Sequence, residues 1–497
     1  MSLHFIRVEA VNIANFVADT KDLSTIRGGG LILLDSIRDL RDNFKQLRPI
    51  STGASSGLFE YEGAKDEADK LLGEMNDFIG SDSKYKYATF VFSIVDADDT
   101  GHFVHDKETL IARSRWQQMR SPFVAIPSHN EDTNVNPCSE NKLRPAKERG
   151  EGKISRSVSE RQDYGREQKQ VFYEQQIGRS LTTNPNQTRK FTRDFEDLAT
   201  FTNESINPNL NRKMAVIYVD GNKFGAIQTE HCRTVESQRE FDANLRGFRK
   251  QLLSDFVDYM EAHDHWLATG NRYRLETLLW GGDEILWVVP AWQGWATIEF
   301  FYQQAQTKNW QFAGTPLTHS VGVVFCNHKA PIHRVRDLAE ELANSVKDKI
   351  EPNSNCFAYE ILESFDHVGR AVEEYRHERV PVSLRSNEGT SALILDANVV
   401  FKTGEMSVIE IISKLKDTLP RRRLTNIVKE LLKEVSQNEV EKQVIELLGE
   451  VKESRSELRQ LFERFGGISS GNDEVDYVGQ PMMWMHLNAL WDYLATE

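Results

Sequence analysis

Cysteine is scarce: four residues, Cys138, Cys232, Cys326 and Cys356, in a chain of 497. They lie far apart with no CxxC pair, which excludes a disulfide framework and predicts reduced thiols. Long hydrophobic runs are also missing. No stretch reaches 18 apolar residues, and the start, MSLHFIRVEAVNIANF, lacks the basic, apolar and small-residue order of a signal peptide. A cytoplasmic protein with no membrane contact is expected. Basic charge is in deficit, 61 Lys and Arg against 75 Asp and Glu for a net of −14. That balance disfavours broad electrostatic binding to nucleic acid while leaving room for a local basic groove. What is present, 39% apolar residues over this length, suffices for two or three folded domains.

Residues 1–130 read as an α/β unit. HFIRVEAV is a strand; NIANFVADT and LILLDSIRDLRDNF are helical, with a turn expected at Arg27 to Gly30. ISTGASSGLFEY has hairpin form, AKDEADKLLGEMNDFI repeats apolar residues at helical spacing, and YATFVFSIVDADD is another strand. The order β, α, ββ, α, β is that of a ferredoxin-like sheet. Residues 131–210 are dominated by Asn, Ser, Arg, Glu, Lys and Gln, and are expected to be a polar linker with partial order. Residues 211–400 repeat the first pattern, with Phe241, Leu245, Phe248, Leu252 and Phe256 forming one apolar stripe on a long helix. Residues 401–497 mark a run of amphipathic helices ending in the apolar MMWMHLNALWDYL, a candidate docking surface. The fold class expected is α+β, two ferredoxin-like domains packed together plus a C-terminal α-helical domain.

The chemistry concentrates in the second copy. MAVIYVDGNKFG is a buried-strand pattern ending on Asp220, and LETLLWGGDEILWVVP is a hairpin whose tip carries Gly281, Gly282, Asp283 and Glu284. Side by side in one antiparallel sheet, these strands bring the carboxylates of Asp220, Asp283 and Glu284 to one edge. Their mutual repulsion calls for a cation, and hard oxygen ligands suit Mg²⁺ or Mn²⁺. Two such ions acting on a nucleoside triphosphate give nucleotidyl transfer. Gly221, through its carbonyl, is a further candidate metal ligand. Gly281 and Gly282 permit turn dihedrals and close approach of a nucleotide. Gly221, Asn222, Lys223, Phe224 and Gly225 form a turn whose amides can face phosphate oxygens, and Lys347 is a candidate triphosphate contact. ILWVV is apolar on both faces, so both should be covered, one of them by the other copy of the fold. His328 and Lys329 are expected in a turn, and Arg421 to Arg423 on a solvated face.

VIYVDGNKFG resembles the VDGD-x-x-G strand end, and LLWGGDEILWVVP the GGDD hairpin, of the polymerase-like large subunit of type III CRISPR effector complexes. LTHSVGVVFCNHKAPIHRVRDLAEELANSVK is similar to the family's segment after that hairpin, and IANFVADTKDLSTIRGGGLILL resembles its first palm. The resemblance implies two packed palms that make cyclic oligoadenylate messengers from ATP, with other effector subunits and guide or target RNA as partners. It also implies an HD-less variant, since no HD nuclease domain precedes the first palm. The departures are specific. GGDD is GGDE here, Asn222 stands where many members have a second Asp, and Thr52 to Gly57 occupies the first palm's hairpin tip without acids. Cys138 in NPCSEN lacks a CxxC partner, so zinc is not expected.

Three functions compete: a cyclic oligonucleotide synthase, a catalytically weak scaffold subunit of an effector complex, and a cyclic dinucleotide synthase. The last ranks lowest, because no RxxD pattern precedes GGDE and only one palm is acidic.

Overall fold

The computed structural model describes residues 2–53, 55–97, 102–120, 137–142, 144–149, 152–181, 191–201, 206–349, 354–363, 394–432, 437–450, 454–466, 469–470, 474–475, 477 and 480–494. Near the N-terminus, β1 (Ser2–Val11), α1 (Leu23–Asn43), β2 (Arg48–Thr52), β3 (Ser56–Gly63), α2 (Lys65–Ser81) and β4 (Thr89–Asp96) build an antiparallel sheet ordered β2-β3-β1-β4. Alternation along β1 divides its side chains between two cores. Ile6 and Val8 join Ile32, Ile37, Leu71 and Met75 from α1 and α2, whereas Phe5 joins Leu110 of α3 (Phe103–Arg120) on the other face.

One expectation fails here, and the same packing orders part of the polar segment. The glycines at 28 to 30 are not a turn but lie inside the continuous helix α1. The expected polar linker contains α4 (Arg156–Ile177), a 22-residue helix with Phe172, Tyr173 and Ile177 in the core. The two helices pack backbone to backbone. A Cβ on Gly28 would sit 1.8 Å from the Arg161 carbonyl oxygen, and one on Gly165 2.0 Å from that of Ser24. Glycine is required at this crossing for space. Arg161 is buried and paired with Asp19 at 2.7 Å, so the polarity of the segment is satisfied internally rather than by water.

The second sheet repeats the first and extends it. β5 (Lys213–Gly221), α5 (Phe224–His231), α6 (Val235–Glu261), β6 (Glu276–Gly281), β7 (Glu284–Pro290), α7 (Gly294–Thr307) and β8 (His319–Asn327) give the strand order β6-β7-β5-β8. α8 (Ile332–Lys349) then leads to β9 (Cys356–Ile361), parallel to β8, and β10 (Ile394–Asp396) closes the edge. β5 is buried on both faces. Ala215, Ile217 and Val219 join the core of α6 and α7, and Met214, Val216 and Tyr218 join that of α8 together with α1 of the first sheet.

The sheets are related by an approximate two-fold exchange of helices. α1 lies on the edge strand β6, and α6 lies on the edge strand β2, where Asp242 accepts from the Thr52 amide at 3.2 Å, while Arg239 pairs with Glu60 of the neighbouring β3 at 2.6 Å. After the second sheet come α9 (Val408–Thr418), α10 (Arg421–Leu432), α11 (Gln437–Glu450), α12 (Arg455–Arg464) and α13 (Pro481–Leu490). The apolar last helix is not an open docking face. Trp484, Leu487 and Leu490 are buried, and His486 shares a 2.7 Å hydrogen bond with Tyr359 of β9. No described helix is long and apolar enough to cross a membrane.

Candidate metal and nucleotide site

β5 lies between β7 and β8. Its register places Val219 opposite Ile285, so the next step brings Asp220 opposite Glu284, with Ser320 across from Asp220 on the other side. Residues opposite one another in an antiparallel pair share a face. Tyr218, Asp220 and Glu284 therefore project toward α8. There Lys347 forms a close ion pair with Asp220, and the Tyr218 hydroxyl donates to Glu284 Oε1 at 2.6 Å. Asp283 lies round the hairpin tip. A Cβ on Gly221 would meet the Asp283 Cβ at 2.7 Å, and Asp283 lines a small pocket with Phe224, Arg249 and His319 on the α6 side. The three acids thus bracket the end of β5 from both faces.

Electrostatics mark Asp283 most strongly. Burial, with the Asp220 and Glu284 charges behind it, pushes its carboxyl up to about 6. Glu340 on α8, not singled out by the sequence, is raised by burial and by Glu284 and Asp220. Tyr218 is raised by burial and the adjacent Glu284. Burial and Lys347 hold His319 down at about 3, and its Nδ1 is buried without a hydrogen-bond partner. Sequence periodicity could have found two of these residues. Tyr218 is two positions from Asp220 on the same strand face, and Glu340 is seven from Lys347 on one helical stripe. Among the described residues, no three His, Cys, Asp or Glu side chains are gathered as a ready metal cage. The donors nevertheless fit a hard cation: they are all oxygens, and their repulsion is what a positive ion would relieve.

The remaining expected site residues divide. Gly282 has φ of 58°, the left-handed region that glycine adopts without a Cβ penalty, and its carbonyl accepts from Arg249 Nη1 at 3.0 Å. Gly281 borders a cavity of about 220 Å³ that Ile13, Val17 and Leu31 line from the first unit and Glu284 and Glu340 from the second. Lys223 is exposed, left-handed at φ 54°, and caps α5, while Phe224 is buried against Phe241 and His319. Gly225 faces open space. Asn222 is buried and engaged inside the protein. Its amide donates to Thr318 Oγ1 and the Ser354 carbonyl, both at 3.1 Å, and its oxygen accepts from Ser320 at 2.8 Å. Its hydrogen bonds make it a structural brace of the turn. His328 lies at the expected turn, bonded to the Arg212 carbonyl, and Arg421 pairs with Asp492 at 2.6 Å.

β6, which leads to the acidic tip, is splinted along its length by α4 and by Arg27 of α1. Glu276 accepts from Arg27 at 2.5 and 2.7 Å and from Lys169 at 2.5 Å, Tyr173 donates to Thr277 at 3.0 Å, and Trp280 donates to Gln176 at 2.9 Å. Burial opposes ionisation of Glu276, but the two cations keep its carboxyl low. The segment expected to be a linker therefore joins α1 in tying the hairpin to the first unit.

Two ferredoxin-like sheets exchange helices, and one of them bears an acidic hairpin tip beside an aspartate-ended strand. Residues 213–356 match the family model described as Cas10/Cmr2, second palm domain. The whole fold is similar to crystal structures of Csm1. For Csm1 of T. onnurineus the TM-score is 0.51 at 14% identity, covering 100% of this chain and 70% of that one. For a Csm1–Csm4 cassette in complex with one ATP it is 0.53 at 14% identity, covering 98% and 70%. For the cassette in complex with cA4 it is 0.50 at 14% identity, again covering 98% and 70%. At these identities the likeness is one of fold. A search of curated proteins found no match.

Proposed function

We propose that this chain is a metal-dependent nucleotidyltransferase that makes a cyclic oligonucleotide from ATP, as a subunit of a type III CRISPR-like effector. The observation that carries this reading is the acidic GGDE tip abutting the Asp220 strand end in a segment matching a Cas10/Cmr2 second palm, with a tip lacking acids, Thr52 to Gly57, in the sister sheet. The similar Csm1–Csm4 cassettes in complex with ATP and with cA4 support the choice of substrate and product. Asp220, Asp283, Glu284 and the Gly221 carbonyl would hold two Mg²⁺ or Mn²⁺ ions. Bound there, such ions supply a field that acidifies a ribose hydroxyl and stabilises leaving pyrophosphate. Lys347, tied to Asp220 without metal, is free to turn to the triphosphate once the carboxylate is otherwise neutralised. Arg249 holds the tip through the Gly282 carbonyl.

One observation favours a scaffold subunit with weak catalysis: Lys347 and Tyr218 already satisfy Asp220 and Glu284. Incubating the protein with labelled ATP or GTP and Mn²⁺, with and without target RNA, separates the two. A cyclic product lost in Asp283→Ala supports the enzyme, and no turnover under any condition supports the scaffold. ATP against GTP competition distinguishes an oligoadenylate from a cyclic dinucleotide.

A further inference from the structure

α3 (Phe103–Arg120) is fixed by its inner side to the face of the first sheet opposite α1 and α2. Phe103 and Leu110 join Phe5 of β1 in one core, Ser114 shares a 2.9 Å hydrogen bond with Ser93 of β4, and Gln117 Oε1 accepts from the Phe92 amide at 3.1 Å. Arg113 donates to the Ile94 carbonyl. The outer side of the same helix is bare. His105, Glu108, Ala112, Arg115, Trp116 and Met119 are all exposed there. Trp116 is 59% and Met119 73% exposed, and among the described residues they are the only exposed large apolar side chains that share a helix.

That stripe is complementary to itself. His105, Glu108, Ala112, Arg115 and Met119 recur at spacings of three and four, the seam of a helix pair. Its N-terminal half carries the acid and its C-terminal half the base. Two copies placed antiparallel about a two-fold axis at Ala112 therefore bring unlike charges together, with the small residue of each at the crossing, where the backbones come closest. Met119 of one copy then faces His105 of the other, Trp116 lies over the partner's Thr109 and Ala112, and Arg115 comes beside the partner's Glu108 on the same flank. A parallel pair would instead set Glu108 against Glu108. In its own chain Arg115 has only a 3.4 Å contact with Glu9 and a hydrogen bond to Gln118, with its side chain 58% exposed, so little holds it from a partner.

We propose that α3 is the face through which two copies of this chain associate, antiparallel across a two-fold axis. Exposed Trp, Met and Arg on one well-anchored helix are the residue types that carry protein interfaces. The contact is one helix on one helix, short of the about 800 Å² per partner of a standard interface. The dimer should accordingly be weak, dissociating on the order of 10–100 µM. This inference is independent of the nucleotidyltransferase reading.

Sedimentation equilibrium of the full chain over roughly 1 to 200 µM tests it. The weight-average mass is expected to climb from 57.0 kDa toward twice that value. Trp116→Lys should raise the dissociation constant about tenfold or more, and Glu108→Arg about fivefold or more. Glu108→Arg/Arg115→Glu, which exchanges the two charges, should restore association toward wild type. Should that double variant lose its cooperative melt because position 115 lies beside Glu9, Ala112→Glu takes its place; a charge at the crossing should abolish the dimer while leaving the exposed site in the monomer undisturbed. A mass that stays at one chain over the whole range overturns the proposal, whether α3 then takes a different protein, a nucleic acid or nothing. Association unchanged in Trp116→Lys and Ala112→Glu places the contact elsewhere and overturns it too. A folded double variant that associates no better than Glu108→Arg refutes the antiparallel register.

Discussion

Replacing Asp283 by asparagine should stabilise the metal-free protein while removing its response to metal. The carboxyl sits at about 6 against an ordinary 3.8, because burial and the charges of Asp220 and Glu284 disfavour its anion. At about 1.4 kcal/mol per unit, a shift of roughly two units corresponds to a penalty on the order of 3 kcal/mol at neutral pH. A carboxyl raised on folding helps the fold where it is protonated. That help is complete below about pH 4 and is lost as pH rises through 6. Metal-free wild type should therefore lose stability between pH 4 and 6, and Asp283→Asn should lose less over the same window. Near pH 8 the variant should melt a few degrees higher than wild type in EDTA. Mn²⁺ should raise the wild-type midpoint by mass action, weakly below pH 6, and leave the variant nearly unmoved. Thermal melts across pH with EDTA or Mn²⁺ measure all of this. A variant less stable than wild type at pH 8, or one that Mn²⁺ shifts as much as wild type, refutes the reasoning.

Other substitutions probe the frame around the site. Glu276→Gln leaves Arg27 and Lys169 facing a neutral group in the core and should cost about 3–5 kcal/mol in urea unfolding; an unchanged midpoint would mean that the three charges do not hold the sheets together. Gly165→Ala drives a methyl into the Ser24 carbonyl and should cost about 1–3 kcal/mol or more, whereas Gly225→Ala, in α5 and facing open space, should be neutral or stabilise by up to about 1 kcal/mol. Asn222→Asp removes the donors to Thr318 and Ser354, so it should destabilise by about 1–3 kcal/mol. It should not strengthen the Mn²⁺ response, and a stronger one would make position 222 a ligand rather than a brace.

Much of the site region is legible in the chain. The apolar run ending at Asp220 and the two apolar runs flanking Gly281 to Glu284 are local patterns. Strand burial and turn geometry are set within a few residues of such patterns, and the structure pairs these strands as the βαββαβ order requires. Local patterning misled at Gly28 to Gly30. Three glycines in a row suggest a turn, but Gly28 is there for a helix crossing whose other half, Gly165, is remote in sequence, while Gly29 faces Val17 and Gly30 the Leu278 carbonyl. α4 was hidden for a related cause. Its polar residues Arg161 and Lys169 look solvated until their partners Asp19 and Glu276 are brought beside them.

By itself the sequence determined the strands around the acidic tip, the repeat of one sheet pattern, and which hairpin carries acid, because backbone propensity and hydrophobic period act over short distances. Only the tertiary structure decided that Lys347 and Tyr218 hold the acids, and that Asn222 is tied to Thr318 and Ser354. Ion pairing and desolvation depend on what lies within a few ångströms in space, and neighbours in space are fixed by packing the two sheets together.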